Sequence, residues 1–241
     1  MSKSSTERGE TVPRLRISIS KDEPLRFLGH LDFLRTMERA LRRSALPIAY
    51  SEGFNPHMKV SYDTALAVGM TADPYYMDVE LETPLAADDV RAKLAPQLPA
   101  GIRLTAMRTV EDGEAKLMAF SNYETFRIIG PQRGEVDGAA VARAWEARER
   151  ILYRKVTPKK VREINVRPLV PTPLTVAADG TYIRVDVGIL KTAQTGIKPA
   201  EIWAILVREH QLAAREDECL IHRTGTYRRA ADGTCRTPME E

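Results

Sequence analysis

Cysteine is nearly absent from this chain of 241 residues, and the two that occur, Cys219 and Cys235, both stand near its end. Two thiols make no disulfide framework, and without a CxxxCxxC triplet the chain carries no iron–sulfur cluster of its own. Cys219 and His222 are close in sequence, but no second pair completes a four-ligand zinc set. The thiols therefore read as reduced and inert, and no metal site is expected. Long apolar runs are also missing, since none approaches the roughly 18 residues that cross a bilayer. The opening MSKSSTERGE lacks the apolar stretch of an export signal, so a cytoplasmic location without a membrane partner is expected. No GxxxxGK[ST] or GxGxxG loop follows a strand, and no HExxH or serine elbow occurs. Nucleotide cradles, zinc peptidases and serine hydrolases are thereby excluded.

What is present is an ordinary soluble composition, 43% hydrophobic and 29% charged, enough for one large domain or two small ones. The net charge of +3 says little by itself. Its distribution says more, because Arg and Lys fall in local clusters while the acids are scattered or flank helices.

PRLRISIS (13–20) alternates Leu15, Ile17 and Ile19 with Arg14, Arg16 and Ser18, the pattern of a half-buried strand. LGHLDFLRTMERALRRSAL keeps a helical period through Leu31, Leu34, Met37, Leu41 and Ala45, until Pro47 ends it. Strands follow at 58–64 and 75–82. A helix capped by Thr83 comes next, then a strand at 101–110. The order strand, helix, strand, strand, helix, strand repeats in the second half: strand 123–130, helix 137–153, strands 159–170 and 181–190, helix 197–211, strand 218–227. The fold expected is α+β, a tandem of ferredoxin-like (βαββαβ) domains with antiparallel sheets. The boundaries expected are a disordered tail at 1–12, a first domain at 13–110 carrying GHLD and GFNPH, a linker at 111–122, a second domain at 123–229 and a tail at 230–241.

Four clusters have the chemistry of a site. Arg26, His30 and Asp32 stand at the start of the first helix, where His30 or Asp32 caps it or a neutral His30 acts as general base. AYSEGFNPHMKVSY (49–62) gathers Asn55, His57 and Lys59 with Tyr50, Phe54 and Tyr62. Aromatic faces stack bases and Lys meets phosphate, whereas the plainer reading is a loop stapled to the core by Phe54. Arg154, Lys155, Lys159, Lys160, Arg162 and Arg167 form a basic ridge suited to a polyanion, or a solvated face. His222, Arg223, Tyr227, Arg228 and Arg229 end the last strand. Lys198 opens the last helix, where either an anion sits or Thr195 caps.

The stretch RFLGHLDFLRTMERALRRSALPIAYSEGFNPHMKVSY resembles the radical SAM-linked (radical SAM-associated) protein family, a bacterial domain of unknown function of DUF2344 type. Arg26, His30, Asp32, Arg35, Arg39, Arg42, Arg43, Ser51, Gly53, Phe54, Asn55, Pro56 and His57 match its pattern. Weaker likeness runs on through Gly69, VREINVRPLV and HRTG. The chain departs from the pattern at Ala72, where the family has Ser, and at Tyr75, where it has Glu. The resemblance implies a radical SAM protein as partner, which would carry the iron–sulfur cluster and SAM, and an RNA substrate. The function expected is an RNA-binding accessory module in tRNA or rRNA modification, without catalysis of its own. Its contacts would come from Arg26, Asp32, Arg35, Arg39, Phe54, Asn55, Lys59, Tyr62, Lys155, Lys159, Lys160, Arg223 and Arg228. The alternatives are a metal-independent endoribonuclease using His30 and His57, which would then converge on one pocket, and a protein–protein adaptor.

Overall fold

The alternation from Leu15 to Ile19 does form a strand, β1 (Arg14–Lys21), in the computed structural model, which describes residues 13–111, 113–157, 160–193 and 195–240. The tail expected over 1–12 lies outside the described residues. After a tight turn comes α1 (His30–Arg43), whose buried residues Phe33, Met37, Ala40 and Leu41 keep helical spacing. Leu31, expected in that stripe, is 66% exposed. Ala45 takes a left-handed conformation (φ 50°) just past α1, and Pro47 prevents its resumption. The first half continues with β2 (Val60–Tyr62), β3 (Met70–Glu80), α2 (Ala87–Leu94) and β4 (Leu104–Val110). Its strands are ordered β4-β1-β3-β2, every pair antiparallel. α2 starts at Ala87 with Ala86 as its cap residue, so Thr83 does not cap it.

A short α3 (Leu117–Phe120) leads into β5 (Tyr123–Pro131) and α4 (Gly138–Glu146). Asp137 caps α4, its Oδ1 accepting from Ala140 N at 2.9 Å. A hairpin of β6 (Leu152–Thr157) and β7 (Lys160–Asn165) follows, then β8 (Thr175–Ala178), β9 (Tyr182–Leu190), α5 (Pro199–Glu209), β10 (Leu220–Arg229) and β11 (Cys235–Arg236). The main strands are ordered β10-β5-β9-β8. Two expectations are corrected here. The helix drawn over 137–153 stops at Glu146, and its last residues belong to β6, where β-branched Val156 and Thr157 favour a strand. The strand drawn over 159–170 ends at Asn165, whose side chain accepts from Ile151 N (3.1 Å) and Arg167 N (3.3 Å) and turns the chain. The edge strand of this half is therefore β8, which sequence reasoning missed.

The two halves do not keep separate sheets. β3 and β10 pair in parallel through Met70↔Ile221, Thr71↔His222 and Ala72↔Arg223, making one nine-stranded, mostly antiparallel sheet of the described residues. Each half keeps its own apolar cluster on the helix side, and Met70 packs against both. No helix among the described residues is long and apolar enough to cross a membrane.

The segments expected as linker and tail cover the other face of the first half. Arg16, fully buried, donates to both Asp78 oxygens (2.8 and 2.9 Å), to Ala115 O (3.1 Å) and to Pro238 O (3.1 Å). The 230–241 segment thus contributes β11 and a buried hydrogen-bond acceptor instead of trailing free. Glu114 accepts from Arg108 at 2.7 and 2.6 Å, and these bonds hold its carboxyl down at about 2 against the opposing effect of partial burial. A depressed acid contributes stability that is complete above its unfolded value of 4.5 and lost as pH falls toward about 2. Urea midpoints measured across that window should fall less steeply for Glu114→Gln than for the native chain; parallel curves would refute the role of this carboxylate.

Candidate functional site

At the N-terminal end of α1 the expected cluster is assembled, but its members are already engaged. Arg26 is buried and donates from Nε and Nη2 to Gly69 O (3.3 and 3.0 Å), while Gly69 N donates to Arg26 O (2.8 Å). It also pairs with Glu23 and lies over the Phe27 ring. Arg26 therefore clamps the turn before α1 to the 63–69 loop and does not face solvent. Gly29 is the cap residue of α1 and receives no side-chain hydrogen bond, so neither His30 nor Asp32 caps it. Asp32 pairs at the surface with Arg35 (3.4 Å). Behind this cluster Lys21 is buried, with Nζ donating to Leu28 O (3.1 Å). Burial and the nearby Arg26 charge both lower its pKa.

The 49–62 stretch is a hairpin. Ala49 N donates to Glu80 O (2.9 Å), Lys59 N to Ala49 O (2.8 Å), and Tyr50 bridges to Met58. At its tip Ser51 N donates to His57 O (2.8 Å) and His57 N to Ser51 Oγ (3.0 Å), with Gly53 supplying a φ of 119°. Phe54 does not staple the loop to the core: it is 103% exposed, beside exposed Tyr50, Asn55 and His57. Lys59 pairs with Glu80 (3.6 Å). Tyr62 lies half-buried and stacked on Tyr75 (6.5 Å between centroids), a packing role rather than an exposed face.

Register separates these two clusters. Lys21 pairs with Ala72 near the start of β3, and Arg14 with Glu80 at its end. The α1 start lies by Gly69, whereas the hairpin leaves β3 at Glu80 and points onward. Eight strand residues at about 3.3 Å each put roughly 26 Å between the two ends. His30 and His57 therefore do not converge on one pocket. The hairpin end instead gathers Arg39 and Arg42 from the last turns of α1, and Arg228 from the end of β10, which runs parallel to β3. Arg39 meets Thr36 Oγ1 (3.4 Å), Arg228 reaches Phe120 O (3.5 Å), and none of the three has an acidic partner among the described residues.

The expected basic ridge is only partly a surface. Lys155 turns inward, donating to Gly196 O (2.8 Å) and pairing with Glu201 (3.2 Å). Arg154 lies opposite Glu163 and Arg162 opposite Lys155 in the hairpin, while Val156 and Val161 are exposed at its end. Lys160 stands opposite Thr157 in β7; Lys159 lies outside the described residues. Arg167 pairs with Glu146. Thr195 does not cap α5, because Glu201 accepts from Lys198 N (2.7 Å) in that role.

Sequence reasoning missed the seam between the halves. Arg223, expected at the surface, is 1% exposed. Its Nη2 lies 2.9 Å from Asp63 Oδ2 and its Nη1 3.0 Å from Glu124 Oε1; Nη1 also donates to Thr64 O (3.2 Å), and the guanidinium stands over Tyr75 (5.2 Å). Thr226 Oγ1 donates to Asp63 Oδ2 (3.0 Å). Lys191 Nζ donates to Thr64 Oγ1 (2.8 Å), Ser121 Oγ (2.6 Å) and Glu124 Oε1 (3.4 Å). Two positions that depart from the resembled pattern are buried here, Ala72 opposite Arg223 and Tyr75 under its guanidinium. Beside the network opens a cleft of about 730 Å³, whose apolar lining includes Phe126, Ile189, Ile221, Val68 and Ile197. Glu124 and Arg223 line it, with Lys198 and Cys219. Among the described residues no group of three or more His, Cys, Asp or Glu side chains could hold a metal ion. His222, on β10, bonds through Nδ1 to Thr71 Oγ1 (2.8 Å), and burial lowers its pKa.

Comparison with known proteins gives a family profile described as "Uncharacterized protein conserved in bacteria (DUF2344)", matching residues 14–199. No curated protein matches the sequence. A chain from "Crystal Structure of a Cbf5-Nop10-Gar1 Complex" is similar at 12% identity with a TM-score of 0.44, the match covering 93% of this chain and 55% of that one. This chain thus spans about half the length of that solved chain.

Proposed function

The chain belongs to DUF2344, a family of uncharacterized proteins conserved in bacteria, and from that premise we propose that it is an RNA-binding accessory module serving a radical SAM enzyme in RNA modification. The observation that carries the reading is the hairpin end: Phe54 wholly exposed on a hydrogen-bonded tip, with Asn55, His57, Arg39, Arg42 and Arg228 at the same end of the sheet. An exposed aromatic face at the same end of the sheet as cations without acidic partners is what a single-stranded nucleic acid requires. The strand orders β4-β1-β3-β2 and β10-β5-β9-β8 support reading each half as a ferredoxin-like unit, fused here along one seam. The radical SAM partner rests on the sequence resemblance, and the iron–sulfur cluster and SAM would reside in it. The nuclease alternative loses its shared pocket once His30 and His57 stand at opposite ends.

Filter binding of single-stranded RNA across a salt series tests the proposal. Three phosphate contacts by Arg39, Arg42 and Arg228 give a log–log slope of about −2. Replacing Arg42 by Ala should lower affinity at low salt and flatten the slope by roughly 0.7. Absence of binding at low ionic strength would overturn the proposal, and capture of a radical SAM enzyme without RNA would then favour a protein adaptor.

A further inference from the structure

We infer that the central cleft is a pocket for one unstacked nucleotide whose base carries an amino group. Three features lie within it. One is Glu124, 8% exposed, whose Oε1 accepts from Arg223 and Lys191. Its Oε2 accepts no hydrogen bond among the described residues. Arg223 and Lys191 line the cleft too but both bond Oε1, so Oε2 is left to take a ligand that donates a hydrogen bond. Val68 and Ile197 add to the apolar lining, the kind of surface that the faces of a heterocycle require. At the rim Lys198 is exposed at the positive end of α5 and supplies the charge for a phosphate. A ligand with a donor edge, a flat ring and an anion answers all three, and a nucleotide has them. The volume of about 730 Å³ falls inside the usual range for small-ligand pockets, about 300–1,000 Å³. Adenine, cytosine and guanine each present an amino group to a carboxylate. The one ring N–H that uracil can offer lies between two carbonyls, which a carboxylate repels.

The inference deepens the RNA reading by naming what the cleft would hold, and it rests on that reading only for the source of the nucleotide. Cys219, half-buried in the cleft, is a built-in reporter, with exposed Cys235 as internal reference. The experiment measures alkylation of both thiols by iodoacetamide in the full chain, by mass spectrometry, with AMP, CMP, GMP or UMP present. Protection of Cys219 by AMP, CMP and GMP is expected, with Cys235 unaffected. UMP should be at least about tenfold less effective, the scale of one lost hydrogen bond to a charged acceptor. Lys198→Ala, an exposed change, should weaken protection by monophosphates and leave protection by the parent nucleosides unchanged. Glu124→Gln, with its fold checked by circular dichroism, should remove the preference over UMP. No protection at millimolar nucleotide, or equal protection by UMP, overturns the inference. RNA binding that leaves Cys219 open also overturns it while the RNA reading stands. Protection by free monophosphates from a chain that binds no RNA supports the pocket and overturns the RNA reading.

Discussion

Arg223→Met should lower the urea midpoint more than any surface change in this chain, corresponding to a loss of about 3–5 kcal/mol. The substitution keeps apolar bulk near Tyr75 but strands Asp63 and leaves Glu124 with Lys191 alone; the two acid side chains are 1% and 10% exposed. Breaking one member of a buried ion pair costs more than the pair itself contributes, because the remaining charge keeps its desolvation penalty without a partner. The companion variant Arg223→Met with Asp63→Asn and Glu124→Gln tests this cause. Removing the stranded charges should recover a sizeable part of the loss, whereas a purely steric effect would leave the triple variant as unstable as the single one. Hydrogen exchange should show where the damage falls. Asp63 belongs to the first half and Glu124 to β5, so the amides of Ile221, His222 and Arg223 along the parallel seam should lose protection before those in the middle of β9. A midpoint unchanged by Arg223→Met would show that the network is not what joins the halves.

Phe54→Ala should leave the urea midpoint where it is and reduce affinity for single-stranded RNA by about 1–3 kcal/mol, roughly five- to 150-fold. The two expectations separate cleanly because Phe54 is 103% exposed and its removal opens no cavity. The tip is held by the Ser51 and His57 hydrogen bonds and the Tyr50 bridge to Met58, none of which involves the Phe54 ring. Phe54→Trp should retain or strengthen binding if the ring stacks on bases. Unchanged RNA affinity in Phe54→Ala would remove the hairpin tip from the interface and leave the arginines to account for any binding.

Much of the architecture could be read along the chain wherever one face of an element is apolar. β1 is legible because Leu15, Ile17 and Ile19 alternate with polar residues, and α4 because Asp137 stands where a cap is needed. Legibility failed where pattern and partner disagree. β3 starts at Met70, five residues before the strand expected at 75–82; Pro74 falls where the ladder with β1 skips, between Ile19 and Lys21, so its missing donor is tolerated. β6 escapes the sequence reading because Tyr153 fits a helical period as well as a strand, whereas β7 lies within the strand expected at 159–170. The seam network was out of reach for a different reason. Glu124, in a strand with Phe126 and Ile128 on the same side, carried a signal: an acid on the inward face of an apolar strand needs a cation. That Arg223 is this cation depends on the register of β10, which no local pattern reveals. Treating Arg223 as a surface base followed from its basic neighbours, of which Arg228 alone kept that role.

The position of β10 has a consequence for how the chain is made. Residues 220–229 occupy the middle of the sheet, between β3 and β5, yet among the sheet's strands only β11 is synthesised later. Until they leave the ribosome, the start of β3 and the inner edge of β5 have no strand in the place of β10, although β2 already covers the end of β3, and Asp63 and Glu124 lack Arg223. Contacts of such long sequence separation form slowly and expose sticky edges while they wait. Nascent chains stalled before residue 220 should therefore be protease-sensitive in both halves, and the two should gain resistance in one step when the last strand inserts.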